Sequence, residues 1–266
     1  MKSKMKLYFA GCQAEQMRRA MKKCKVRNIL VSFHYVGDSL KDIYDYFGYD
    51  VNIMLDSGGF TARTKNEAID IQEYIQFVKR NKQYVNHYFV LDSKREKLDD
   101  TKRNLQLMEE AGLNPIPIYH TDEPFEYFIE LCQRYSYIGI GGAVKNYNNI
   151  FFTAEQHNVK IHLLGNTSPN ILVKYKPYSA DSVSWISGGM HGRVFVNTPF
   201  GFKSALRKSF RAYSPFVTDA KRFIPHGIIP EDLSYANDGK GDYEKMMLFN
   251  CLMYLKFERY VSEGVL

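Results

Sequence analysis

The chain has 266 residues, 45% hydrophobic and 15% aromatic, which excludes a largely disordered protein and suffices for one large α/β core. Its 36 Lys and Arg against 29 Asp and Glu leave a net charge of +7, a balance that favours polyanionic partners although many ordinary enzymes share it. The opening stretch MKSKMKLYFAG holds only a short apolar run, too short for a signal-peptide core or a membrane span, so a cytoplasmic protein is expected.

Short apolar runs rich in β-branched and aromatic residues alternate with longer amphipathic stretches, the pattern of βα units around a parallel sheet. In chain order the predicted strands are 7–10, 29–33, 51–55, 87–91, 115–119, 137–140, 161–164 and 182–186. Eight strands are the number that closes a TIM (β/α)8 barrel. Helices are expected between them at 68–81, 97–111 and 124–134, the second stopped by Gly112. After the eighth strand come a basic tract, Lys203 to Arg211, and an amphipathic helix near 243–260 that packs outside the barrel. A single domain is therefore expected, with the barrel over about 6–200 and the basic tract and C-terminal helices over about 201–266. Cys12, Cys24, Cys132 and Cys251 are far apart and form no CxxC pair, so neither a disulfide framework nor a zinc site is legible.

Barrel enzymes carry their reactive groups at the C-terminal ends of the strands. Asp56 follows the third predicted strand, Asp92 the fourth, His120 the fifth, Gly141 and Gly142 the sixth, and Gly165 the seventh, while Asp181 abuts the eighth. In Leu55-Asp56-Ser57-Gly58-Gly59-Phe60 a carboxylate precedes a flexible turn, which exposes backbone amides beside an acid; an aspartate there also serves as an ordinary turn cap. The glycine pair of Gly139-Ile140-Gly141-Gly142 lets a flat ligand approach the main chain, or simply makes a tight turn. Asp181, beside an apolar alternation and the only tryptophan, reads as a nucleophile held on the scaffold, or as a structural carboxylate satisfied by backbone amides or Arg193. His34, His87 and His162 read as core or loop residues, whereas His120 faces the same rim as Asp92 and suits a hydrogen bond to a heterocycle.

The motifs LDSGGF (55–60), FVLD (89–92), IYH (118–120), GIGGAV (139–144), HLLGNTSP (162–169) and ADSVSW (180–185) resemble, in order, those of the tRNA-guanine transglycosylase superfamily. The closest likeness is to the compact phage branch that inserts 7-deazaguanines into DNA. That resemblance implies Asp181 as the nucleophile attacking the sugar C1′ and Asp56 as general acid/base. It implies Asp92, His120, Ser57 and Gly58, with Gly141, Gly142 and Gly165, as contacts of the base; His120 stands where the tRNA enzymes carry a glutamine.

The tRNA enzymes also hold zinc on clustered cysteines and a histidine after the eighth strand, and nothing in this sequence corresponds. Zinc is therefore not expected, no other cofactor is implied, and DNA is favoured over tRNA as the polynucleotide. The other substrate is a free 7-deazaguanine such as 7-cyano-7-deazaguanine. A helper protein is a further expected partner, and a membrane is not. Base exchange requires the target base to be flipped out or single-stranded, with cationic side chains on the flanking phosphates. Arg193, Lys203, Arg207, Lys208 and Arg211 are the candidates for that grip. Base exchange on tRNA, hydrolytic loss of the base, and a non-catalytic nucleic-acid-binding barrel remain the alternatives.

Overall fold

The computed structural model describes residues 4–37, 40–92, 98–142, 145–186, 193–198, 201–206, 227 and 243–264. Eight parallel strands form one sheet: β1 (Lys6–Ala10), β2 (Asn28–Ser32), β3 (Asn52–Asp56), β4 (His87–Tyr88), β5 (Ile118–His120), β6 (Tyr137–Gly141), β7 (Lys160–Leu163) and β8 (Ser179–Ser182). Neighbours run β4-β3-β2-β1-β8-β7-β6-β5, and a parallel bridge between Phe89 and Ile116 joins the two ends. The result is a (β/α)8 barrel of the TIM type, as the alternation of apolar runs and amphipathic stretches predicts.

The helices between strands are α1 (Glu15–Lys23), α2 (Phe33–Val36), α3 (Leu40–Phe47), α4 (Gly59–Thr64), α5 (Ile71–Arg80), α6 (Leu98–Glu110), α7 (Phe125–Arg134), α8 (Tyr147–Gln156) and α9 (Pro169–Tyr175). Asp70 sets the start of α5 later than the amphipathic pattern suggests, because its carboxylate accepts the Gln72 and Glu73 amides at 2.6 and 3.3 Å and so caps the first turn. Beyond the barrel an antiparallel hairpin, β9 (Arg193–Thr198) with β10 (Gly201–Leu206), precedes the long helix α10 (Tyr243–Glu263). Among the described residues no helix is long and apolar enough to cross a membrane.

Side-chain alternation along β1 shows how inside and outside are divided. Phe9 turns outward onto Trp185 and Tyr254 at ring separations of 5.7 and 6.3 Å, so α10 covers this flank. Tyr8 turns inward to meet His162 at 6.0 Å. At the strand starts, Glu258 of α10 accepts the Leu7 amide at 2.7 Å and the Asn28 side chain at 3.3 Å, tying the helix to the bottom of the barrel.

Three strands differ from their sequence reading: the fourth, read as 87–91, is a ladder only over His87–Tyr88, with Phe89 in a single bridge. The fifth is extended from Ile116 but pairs as a ladder only over Ile118–His120, because Pro115 and Pro117 have no amide hydrogen to donate. The eighth is Ser179–Ser182, not 182–186. Its residues are small or polar and all buried, so no apolar run betrays them, while the alternation at 183–186 belongs to a turn in which Trp185 donates its indole N–H to Ala10 O at 2.9 Å. Asp181 thus lies within the strand, in register with Tyr8 of β1, rather than ahead of it.

Candidate functional site

Asp56 ends β3, and the chain turns sharply behind it into α4. Gly58 has φ of +78°, and a Cβ there would lie 2.4 Å from the His34 Cβ, so a side chain is excluded by both conformation and space. The turn returns the Gly58 amide to Asp56 Oδ2 at 3.0 Å. Burial, followed by the negative charges of Asp92 and Asp181, pushes the Asp56 carboxyl up to about 7. Three carboxylates from separate strand ends therefore share one electrostatic neighbourhood.

Asp92, just beyond β4, is satisfied on both oxygens. Oδ1 faces the Ser57 hydroxyl at 3.5 Å, while Oδ2 meets Arg63 Nη2 at 3.3 Å and His120 Nε2 at 3.0 Å. Arg63 also donates to the Asp92 carbonyl at 2.8 Å, so the guanidinium grips backbone and side chain together. Burial alone would raise this carboxyl, but the His120 hydrogen bond and the Arg63 charge outweigh it and hold the group below the usual carboxylate range. Asp56 and Asp92 are thus driven in opposite directions by their surroundings.

His120 ends β5, and its backbone amide donates to Glu123 at 2.8 Å. With Nε2 donating to Asp92, Nδ1 is left as an acceptor, and among the described residues this buried nitrogen has no hydrogen-bond partner. The ring lies so close to Gly141 that a Cβ there would come within 2.7 Å of Nδ1. Gly141→Ala is therefore expected to force the imidazole off Asp92 and to destabilise the fold by about 1–3 kcal/mol. Thermal melting checks this; an unchanged Tm would mean that the ring has room to move aside.

Asp181 forms the second half of the site. Its Oδ1 accepts from His162 Nε2 and from the Gly165 amide, both at 3.0 Å. Gly165 turns at φ of +62° with open space around it, since a Cβ there would meet nothing within 4 Å. His162, fully buried on β7, is bonded through Nδ1 to Ser179 Oγ at 2.7 Å.

The sequence-predicted residues Asp56, Ser57, Gly58, Asp92, His120 and Gly141 therefore join in one cluster, and Asp181 with Gly165 in a second that is coupled to the first through charge. Gly142 follows at φ of +81°. Arg63, Glu123 and His162 belong to the site and were not expected there. Asp181 is held by His162 and by the Gly165 amide; a backbone amide was one of the two structural partners the sequence offered it, and Arg193 was the other. Arg193 and Lys203 fall on the β9–β10 hairpin, described here by its backbone; Arg207, Lys208 and Arg211 lie outside the described residues. Among the described residues no three His, Cys, Asp or Glu side chains gather as a metal-binding group.

No family model matches the chain, and no curated protein matches it. Among solved structures it is similar to the tryptophan synthase α2β2 complex from the hyperthermophile Pyrococcus furiosus, at 9% identity and a TM-score of 0.48, over 72% of this chain and 92% of that one. It is also similar to tryptophan synthase from M. tuberculosis, at 9% identity and a TM-score of 0.46, over 69% of this chain and 86% of that one. Likenesses this distant say nothing of activity, and the barrel assignment stands on the strand order itself.

Proposed function

We propose that this chain is a base-exchanging glycosyltransferase that replaces guanine in DNA with a free 7-deazaguanine through a glycosyl-aspartate intermediate. One observation carries the reading: two carboxylates at strand ends lie within each other's electrostatic reach and are held by different partners. Asp56 is raised to about 7, the condition of a group that gives and takes a proton near neutrality. Asp181 accepts two hydrogen bonds on one oxygen, the condition of an anion held ready to attack.

An Asp181 oxygen attacks C1′, the C1′–N9 bond breaks with its electron pair moving onto the purine, and Asp56 supplies a proton to the departing guanine. The incoming base then binds, its N9 attacks C1′ as the C1′–oxygen bond to Asp181 breaks, and the N9 proton passes to Asp56. Two displacements retain the configuration at the sugar, as in retaining glycosidases. Asp92, locked by Arg63 and His120, suits the N–H groups on the polar edge of a purine. The lone acceptor at His120 Nδ1 awaits a further donor from the base, and the open space beside Gly165 admits a flat ring.

Radiolabelled guanine supplied with single-stranded DNA, duplex DNA or tRNA tests this. Label is expected in DNA, dependent on Asp181. Label in tRNA alone would transfer the activity to that polynucleotide, abasic sites without label would mean hydrolysis, and no reaction with any of the three would leave a binding protein.

A further inference from the structure

Behind Asp181 a line of polar side chains runs into the barrel interior, and the two-carboxylate chemistry does not account for it. Tyr137 Oη meets Ser179 Oγ at 2.5 Å, Ser179 Oγ meets His162 Nδ1 at 2.7 Å, and His162 Nε2 meets Asp181 Oδ1 at 3.0 Å. Ser179 and Asp181 share the inner face of β8 by the two-residue period of a strand, and His162 faces Ser179 because the two are in register. Ser179 and His162 are both completely buried, and the rings of Tyr8, Phe89 and Tyr137 enclose the imidazole at 6.0, 5.1 and 6.5 Å. A dry barrel core would be filled at less cost by apolar side chains, so a polar chain ending on one oxygen of a candidate nucleophile calls for a use.

The proton inventory gives the chain a direction. An ionised Asp181 only accepts, so His162 donates from Nε2. A neutral imidazole then accepts at Nδ1, which requires Ser179 to donate to it and to accept from Tyr137. Burial pushes the Tyr137 hydroxyl above its ordinary range, so that group stays a donor. Reversing the two inner bonds while Asp181 stays ionised would put protons on both ring nitrogens and demand a second buried charge, an imidazolium, at considerable desolvation cost. At the far end His162 and Gly165 both donate to Oδ1, and among the described residues no hydrogen bond reaches Oδ2.

We propose that His162 is a positioning residue for Asp181: the chain Tyr137 to Ser179 to His162 fixes its tautomer, clamps Oδ1, and leaves Oδ2 as the oxygen that attacks C1′. The proposal rests on the base-exchange reading of the site. Without the Nε2 donor the carboxylate keeps only the Gly165 amide and is free to rotate about its last bond, so the attacking oxygen spends less time in line with C1′.

Two measurements on the full chain decide it. With 15N-labelled histidine, long-range proton–nitrogen correlations are expected to show His162 protonated on Nε2 and bare on Nδ1, and to show mixed tautomers in Ser179→Ala. In exchange assays His162→Phe, which keeps a ring in the aromatic enclosure, is expected to lower kcat about 10–100-fold with less than a twofold change in KM for the free base. His162→Gln, whose amide nitrogen sits near the place of Nε2, recovers part of the loss. An Nδ1-protonated or doubly protonated ring, an unchanged kcat in His162→Phe, or a Gln variant no better than Phe each overturns the proposal. So does a fall in kcat matched by an equal rise in KM and a lowered Tm, which would mark a packing role alone. If the parent protein exchanges no base, the base-exchange reading fails by itself, and the tautomer still decides whether the relay exists.

Discussion

Asp181→Asn is expected to lower base exchange by about 10⁴-fold, the scale seen when a nucleophile is removed from an otherwise intact site, and to eliminate the covalent protein–polynucleotide adduct that the parent forms when the incoming base is withheld. The choice among the three carboxylates follows from their partners. Asp92 already has Ser57 on one oxygen and Arg63 with His120 on the other, and attack by either would break a charge-assisted bond. Asp56, raised to about 7, is about half protonated near neutrality, which suits an acid and handicaps a nucleophile. Among the described residues Asp181 is clamped through Oδ1 alone. An asparagine keeps an oxygen in that place for His162 and Gly165, so the fold is expected to survive with Tm changed by only a few degrees. Adduct formation on a denaturing gel and single-turnover exchange check this, and exchange at the parental rate would falsify the assignment of the nucleophile.

The barrel was legible in the sequence because parallel strands are covered on both faces and read as unbroken apolar runs. Ile29-Leu30-Val31 and Ile53-Met54-Leu55 are nearly inaccessible to water. The candidate acids were legible because strand ends are where such barrels place chemistry. What stayed hidden was hidden for physical reasons. The strand carrying Asp181 is Ser-Ala-Asp-Ser, buried through hydrogen bonds instead of apolar bulk, so hydropathy slid the reading three to four residues toward Trp185. His162 passed for a core residue, although Ile161 and Leu163 on either side of it already implied, by the period of a strand, that it points to the opposite face from them. Arg63 comes from the six-residue helix α4, whose sequence gives no sign that it folds back onto Asp92. Strand β10 of the hairpin overlaps the first residues of what read as a basic tract from Lys203 to Arg211.

Asp56→Asn is expected to move stability and activity in opposite directions. Because burial and two neighbouring carboxylates raise Asp56 from 3.8 in the unfolded chain to about 7 in the folded one, the folded state binds this proton more tightly. The stability so contributed is fully present below about pH 4 and is lost as pH rises through 7. Three pKa units correspond to about 4 kcal/mol, and the partial contact of Asp56 with water trims this to roughly 2–4 kcal/mol. The amide carries no charge to desolvate, so the variant should melt about 5–10 °C above the parent at pH 8, with the gain shrinking as the pH is lowered toward 4. Guanine release should fall about 10²–10⁴-fold, the worth of a positioned general acid, and should lose the decline above pH 7 that the parent shows as Asp56 ionises. Melting curves across pH and single-turnover release measured together separate the two effects. A variant less stable than the parent at pH 8 would mean that Asp56 is a structural carboxylate after all, since only a group kept at its place for chemistry costs the fold stability and repays it in rate.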